Sequence, residues 1–154
     1  FFKQKTAYEI SLGLVGAEMC IRDRPSLVGQ RTFNFSFIVS ADKEKEWDEA
    51  FESHATWMRE THCLAVKANP NYGMLGTLVD YYVSKAAEMN NPLDPTEGTS
   101  GNLIYTLNEV YTRVEGTEAH MEAAPSWESF EKFLELVGES KATMVMHGEV
   151  IQSM

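Results

Sequence analysis

The chain has 154 residues, with 23 acidic against 13 basic side chains and a net charge of −10. So acidic a surface repels phosphate backbones and anionic lipid, which argues against nucleic acid or a membrane as partner. No apolar run approaches the roughly 18–20 residues that a membrane helix needs.

The first 24 residues stand apart. Lys3 to Glu9 (KQKTAYE) and Leu14 to Asp23 (LVGAEMCIRD) resemble the two constant blocks of a translated sequencing-library adapter, with Ala17 in place of a serine. Ile10 to Gly13 lie between them as a variable block of barcode length. Such a segment is set aside in fold reasoning. The expectation is a single native domain over 25–154 and few long-range contacts for Phe1 to Arg24. That segment carries Lys3, Lys5, Arg22 and Arg24 against Glu9, Glu18 and Asp23, so the remainder is more acidic still. With Cys20 set aside Cys63 is alone, which precludes an internal disulfide and suits a reducing cytoplasm.

Thr32 to Ser40 (TFNFSFIVS) alternates with period two and predicts a strand with Phe33, Phe35 and Phe37 on one face. Asp42 suits a helix cap, and Glu44 and Glu46 a first turn. From Lys43 to about Thr61, Trp47, Ala50, Phe51, Trp57 and Met58 recur at three- and four-residue steps, with His54 among them. That spacing predicts an amphipathic helix with His54 on its buried side. Asn69-Pro70-Asn71, Gly73 and Gly76 mark turns. Leu78 to Lys85 reads as a second strand, and Asn90 to Asn102 as a long polar loop.

Leu103 to Arg113 reads as a third strand whose Tyr105, Leu107, Glu109 and Tyr111 share a face. A helix opens near Gly116-Thr117 and carries Glu118, His120 and Met121. Pro125 interrupts it, Ser126 offers a new cap, and Gly138 offers a stop. Trp127, Phe130, Phe133, Leu134 and Val137 continue at helical spacing, and Ala142 to Gln152 closes the chain as a strand. The expected fold is α+β, ferredoxin-like βαββαβ: a four-stranded antiparallel sheet with both helices on one face. The other face must meet water, a ligand or another subunit.

The ordered set Tyr105, Leu107, Glu109, Tyr111, Glu118, Ala119 and His120 resembles a motif of the antibiotic biosynthesis monooxygenase-like domains, in the dimeric α/β barrel superfamily. The resemblance implies a homodimer closed through the open sheet face. It also implies a pocket between sheet and helices for a small aromatic molecule, and cofactor-independent oxygenase chemistry in some members. The segment after the first helix and the loop Asn90 to Asn102 are longer than the family's. The haem-degrading branch places a Trp at the end of the third strand, where Tyr111 and Thr112 stand here, so haem degradation is not expected.

His120 is the leading catalytic candidate, as a base or orienter of a phenolic hydroxyl, with Glu109 as its partner. The structural alternative is a helix histidine that packs on the sheet and bonds a carboxylate. Tyr111, His54, Trp57 and Tyr105 are candidate pocket walls, against the alternative that they fill the core. His54, His62, Cys63 and His120 show no metal-ligand spacing, so neither metal nor cofactor is expected. Two functions stay open: a cofactor-independent oxygenase acting on a phenolic or quinol-like substrate, and a non-catalytic homodimeric binding or interaction protein with structural histidines.

Overall fold

A computed structural model describes residues 26–153; the expectation for Phe1 to Arg24 lies outside them. Residues 30–149 form one compact unit. Residues 26–29 and 150–153 belong to another, in which Gly29 N bonds Val150 O and Leu27 N bonds Ser153 Oγ.

The larger unit runs β1 (Arg31–Ser40), α1 (Glu44–Thr61), β2 (Leu78–Met89), β3 (Thr99–Tyr111), α2 (Val114–Ala123), α3 (Phe130–Glu139) and β4 (Lys141–Glu149). The strands form one antiparallel sheet in the order β2-β3-β1-β4. In register, Phe33 lies opposite Glu109, Phe35 opposite Leu107 and Phe37 opposite Tyr105. The expected alternation thus becomes a shared buried face across β1 and β3. Phe33, Phe37, Tyr105, Leu107, Glu109 and Tyr111 are all buried on it.

Trp47, Phe51, Trp57 and Met58 of α1 and Phe133 and Leu136 of α3 complete the core. Phe37 touches Trp47 and Phe133 at centroid separations of 4.7 and 5.9 Å. The opposite sheet face is wetter: Tyr82 and Val145 stay about half exposed, and Asn34 Nδ2 donates to Asn108 Oδ1 across the strands.

Several local expectations are corrected. A 3-10 turn, Ala41–Lys43, precedes α1, and the cap position falls on Lys43 with no side-chain cap bond, so Asp42 is not the cap. β3 starts at Thr99, because its first residues extend the β2 hairpin as far as the Met89–Thr99 pair. The polar loop therefore closes early, with Asn90 N bonded to Gly98 O. Ser126 caps nothing; its Oγ accepts from Trp57 Nε1, and α3 starts at Phe130. Gly138 lies inside α3, which ends one residue later. β4 spans Lys141–Glu149, short of the expected Gln152.

One glycine sets the approach of α2. A Cβ on Gly116 would collide with Thr77 Oγ1 and with the Tyr111 side chain. The helix can therefore settle directly onto the end of β3, with His120 a turn further on. Among the described residues, no helix is long and apolar enough to cross a membrane.

Candidate functional site

Where α1, β3 and α2 meet, four ionisable side chains are sealed from solvent: His54, His62, Glu109 and His120. Each has a local reason to be there. His54 follows Phe51 on the apolar stripe of α1. His62 is the residue at which α1 ends, where the backbone turns extended. Glu109 occupies an inward position of β3 between Leu107 and Tyr111. His120 sits in the last turn of α2.

The polar groups answer one another. Tyr111 Oη donates to Glu109 Oε2 at 2.6 Å. His120 Nδ1 is 3.5 Å from that same oxygen and 3.2 Å from His62 Nε2. His62 Nδ1 lies 2.9 Å from Thr61 Oγ1, and His54 Nδ1 lies 3.0 Å from Tyr81 Oη. Glu109 Oε1 is buried with no hydrogen-bond partner. Such an orphaned oxygen is costly, and native interiors rarely keep one without a reason.

Burial sets the protonation states. It pushes the Glu109 carboxyl up to about 8, against the smaller lowering effect of the Tyr111 bond. It brings His54 down to about 3, with the charge of His62 adding to the effect, and His62 down to about 4. It holds His120 well below the ordinary histidine value, with His54 and His62 contributing. At neutral pH the cluster therefore carries no net charge: the carboxyl keeps its proton and the imidazoles are free bases. The Glu109–His120 contact is a neutral one rather than an ion pair.

A cavity of about 100 Å³ opens beside the cluster on the helix side of the sheet. Phe33, Phe35, Trp127 and Phe133 wall it, and His54 and His120 are the polar residues that reach it. Met121 and Leu134, both partly exposed, flank it. A dry apolar cavity of about 150 Å³ holds a benzene ring. This one is smaller, so it would enclose a single aromatic ring only in part. On the other side of the cluster, His62 and Tyr81 stand in the wall of a separate cleft of about 450 Å³, with Arg59, Cys63, Lys67 and Tyr72.

The structure brings together five of the six residues singled out in the sequence: His54, Trp57, Glu109, Tyr111 and His120. Trp57 touches both His54 and His120, at ring separations of 5.5 and 5.4 Å, but lines an outer groove rather than the cavity. Tyr111 backs Glu109 and does not reach the cavity. Tyr105 lies elsewhere, stacked against Trp47 and Phe51 with its hydroxyl on Asp48. Tyr81, a further aromatic candidate for the pocket, joins the cluster through His54; His62, weighed only as a metal ligand, and Trp127 were not anticipated here. His62 follows the last turn of α1, where helical periodicity no longer reports which side chains point inward. The inward face of β2 (Tyr81, Val83) carried the usable signal for Tyr81.

Ligand atoms of His54, Glu109 and His120 all lie within 4.8 Å of one another, a set able to hold a metal ion. Sequence spacing did not show it, because the three come from separate elements. His120 Nδ1 and Glu109 Oε2 are, however, already engaged with His62 and Tyr111. No family model matches the chain, and no curated protein or solved structure matches it.

Proposed function

We propose that this protein binds a small aromatic molecule in the cavity beside His120 and acts as a cofactor-independent oxygenase on a phenolic or quinol-like substrate. The carrying observation is the cavity itself, aromatic on its walls and basic at its polar edge, with a buried carboxyl behind the base. His120 would remove the phenolic proton, and burial would keep the phenolate from water. An electron-rich phenolate reduces oxygen directly. One oxygen atom enters the substrate, and the other leaves as water with two hydrogens taken from the substrate, so oxygen is the one co-reactant. Glu109 orients His120, His54 contributes a second polar contact, and Trp57 buttresses both histidines.

The same reading takes the fold as ferredoxin-like, supported by the order β2-β3-β1-β4 with β1 and β3 at the centre. It takes the protein as a homodimer joined through the open sheet face, where Tyr82 and Val145 stand exposed. The alternative, a non-catalytic binding protein, draws on the bonds that His120 already makes inside the core. The deciding experiment measures solution size, quenching of Trp and Tyr emission, and oxygen uptake over a panel of phenols and quinols. A dimer with saturable quenching is expected, and uptake that falls about 100-fold or more in His120→Ala. Quenching without uptake would leave the binding-protein reading, and a monomer would remove the barrel.

A further inference from the structure

The hydrogen-bond chain behind His120 has a direction. Thr61 Oγ1 lies 2.7 Å from the Trp57 carbonyl oxygen, which can only accept, so the single hydroxyl proton of Thr61 is committed there. Thr61 Oγ1 must then accept from His62 Nδ1. A neutral His62 has one ring proton, which this places on Nδ1, leaving Nε2 bare. The atom facing that lone pair at 3.2 Å is His120 Nδ1, which is therefore the donor. Glu109 Oε2, at 3.5 Å from the same nitrogen, also suits a donor. The remaining nitrogen of His120, Nε2, is left without a proton and has no hydrogen bond among the described residues.

We propose that Thr61 and His62 are positioning residues that hold His120 in the tautomer with a bare Nε2, and that His62 takes up the Nδ1 proton when Nε2 gains one. The inference rests on the reading of His120 as the base of the aromatic cavity. The proton count closes. As the phenolic proton reaches Nε2, the Nδ1 proton crosses to His62 Nε2, and the positive charge comes to rest on His62. That ring stands in the wall of the second cleft, away from the apolar cavity. The reverse shift returns the proton when reduced oxygen is released as water. A histidine whose tautomer is left unset spends part of its time with the wrong nitrogen protonated, so fixing it is a direct contribution to rate.

The first test needs no substrate. Two-bond 1H–15N correlation spectra of the 15N-histidine-labelled protein at neutral pH should show both His62 and His120 protonated on Nδ1 alone, assigned with single-histidine variants. A proton on His120 Nε2 overturns the proposal. Thr61→Val, which removes the acceptor at the start of the chain, should release both rings into mixed tautomers, and unchanged spectra overturn it. His62→Gln separates the two roles, because an amide oxygen still accepts from His120 Nδ1 but cannot take up its proton. It should keep the His120 tautomer and lower kcat for oxygen uptake about 10-fold at unchanged KM. Unaltered kcat overturns the proton-transfer half. If the wild-type protein oxidises no phenol, the oxygenase reading falls and the spectra still decide the tautomer.

Discussion

Helix α1 covers two cores that differ in kind. Its first half lays Trp47 and Phe51 on Phe37, Tyr105 and Phe133, rings on rings at 4.7–6.0 Å. Its second half lays His54 and Trp57 over His120 and His62, behind which Glu109 and Tyr111 are bonded to each other. Both regions are equally sealed, so exclusion of water does not separate them. What separates them is the fate of the polar atoms. In the first, the one phenol sends its hydroxyl outward to Asp48 at the surface, where Lys85 also binds. In the second, a carboxyl and three imidazoles turn inward and share protons. A core needs only the first arrangement for stability. The second keeps titratable groups beside a cavity at the expense of stability, and on that arrangement the proposed function rests.

The largest effect should come from the aromatic end. Phe37→Ala removes a fully buried ring and should lower unfolding free energy by about 3–5 kcal/mol, read by chemical denaturation. That loss should be the same at pH 5 and pH 9, because the ionisable group opposite Phe37, the Tyr105 phenol, is raised above its ordinary value by burial and keeps its proton throughout that range. The histidine end should behave in the opposite way. Glu109 has a folded pKa of about 8, above its ordinary 4.5. Its contribution to stability is therefore full below pH 4.5 and is lost as pH rises towards 8. His54 and His62 are depressed from 6.5 to about 3 and 4. Theirs is full above 6.5 and is lost as pH falls towards those values. Stability should accordingly peak in mildly acidic to neutral solution. In Glu109→Gln the alkaline decline should vanish, so that its Tm gains on the wild type steadily from pH 5 to pH 9. A constant difference across that range would mean that Glu109 is ionised in the folded protein, and the contrast between the two ends would be lost.

The two regions were also unequally legible in the sequence. The aromatic end follows from periodicity: Phe33, Phe35 and Phe37 at alternate positions, and Trp47, Ala50 and Phe51 at helical ones, already name the face that must be covered. Glu109 stood out as a carboxylate on an otherwise apolar strand face, and His54 as a histidine on an apolar helix stripe. The link between His62 and His120 was not visible. It joins the end of α1 to the last turn of α2, and their meeting depends on how closely Gly116 lets α2 approach the strand. Element boundaries missed for a related reason. The expected caps Asp42 and Ser126 are sound local choices, but a 3-10 turn takes the first position and the Trp57 indole claims the second.

The smallest test makes the same change at both ends. Tyr105→Phe deletes a hydroxyl that donates to Asp48 Oδ1 at 2.8 Å. Asp48 keeps Lys85 at 2.8 Å and has solvent at hand, so the expected cost is about 1 kcal/mol at any pH from 5 to 9. Tyr111→Phe deletes a hydroxyl that donates to Glu109 Oε2 at 2.6 Å in a fully buried site. No water replaces it, and the carboxyl is left with only the 3.5 Å contact to His120, so the cost should approach 2–3 kcal/mol. It should also grow with pH. The Tyr111 bond is what opposes the upward shift of Glu109, so its loss raises the carboxyl further and makes ionisation at pH 9 costlier than at pH 5. Denaturation of the two variants at both pH values reads this directly. Equal, pH-independent costs would show that water reaches Glu109 as freely as it reaches Asp48, and the histidine end would then be a hydrated part of the surface instead of a sealed site.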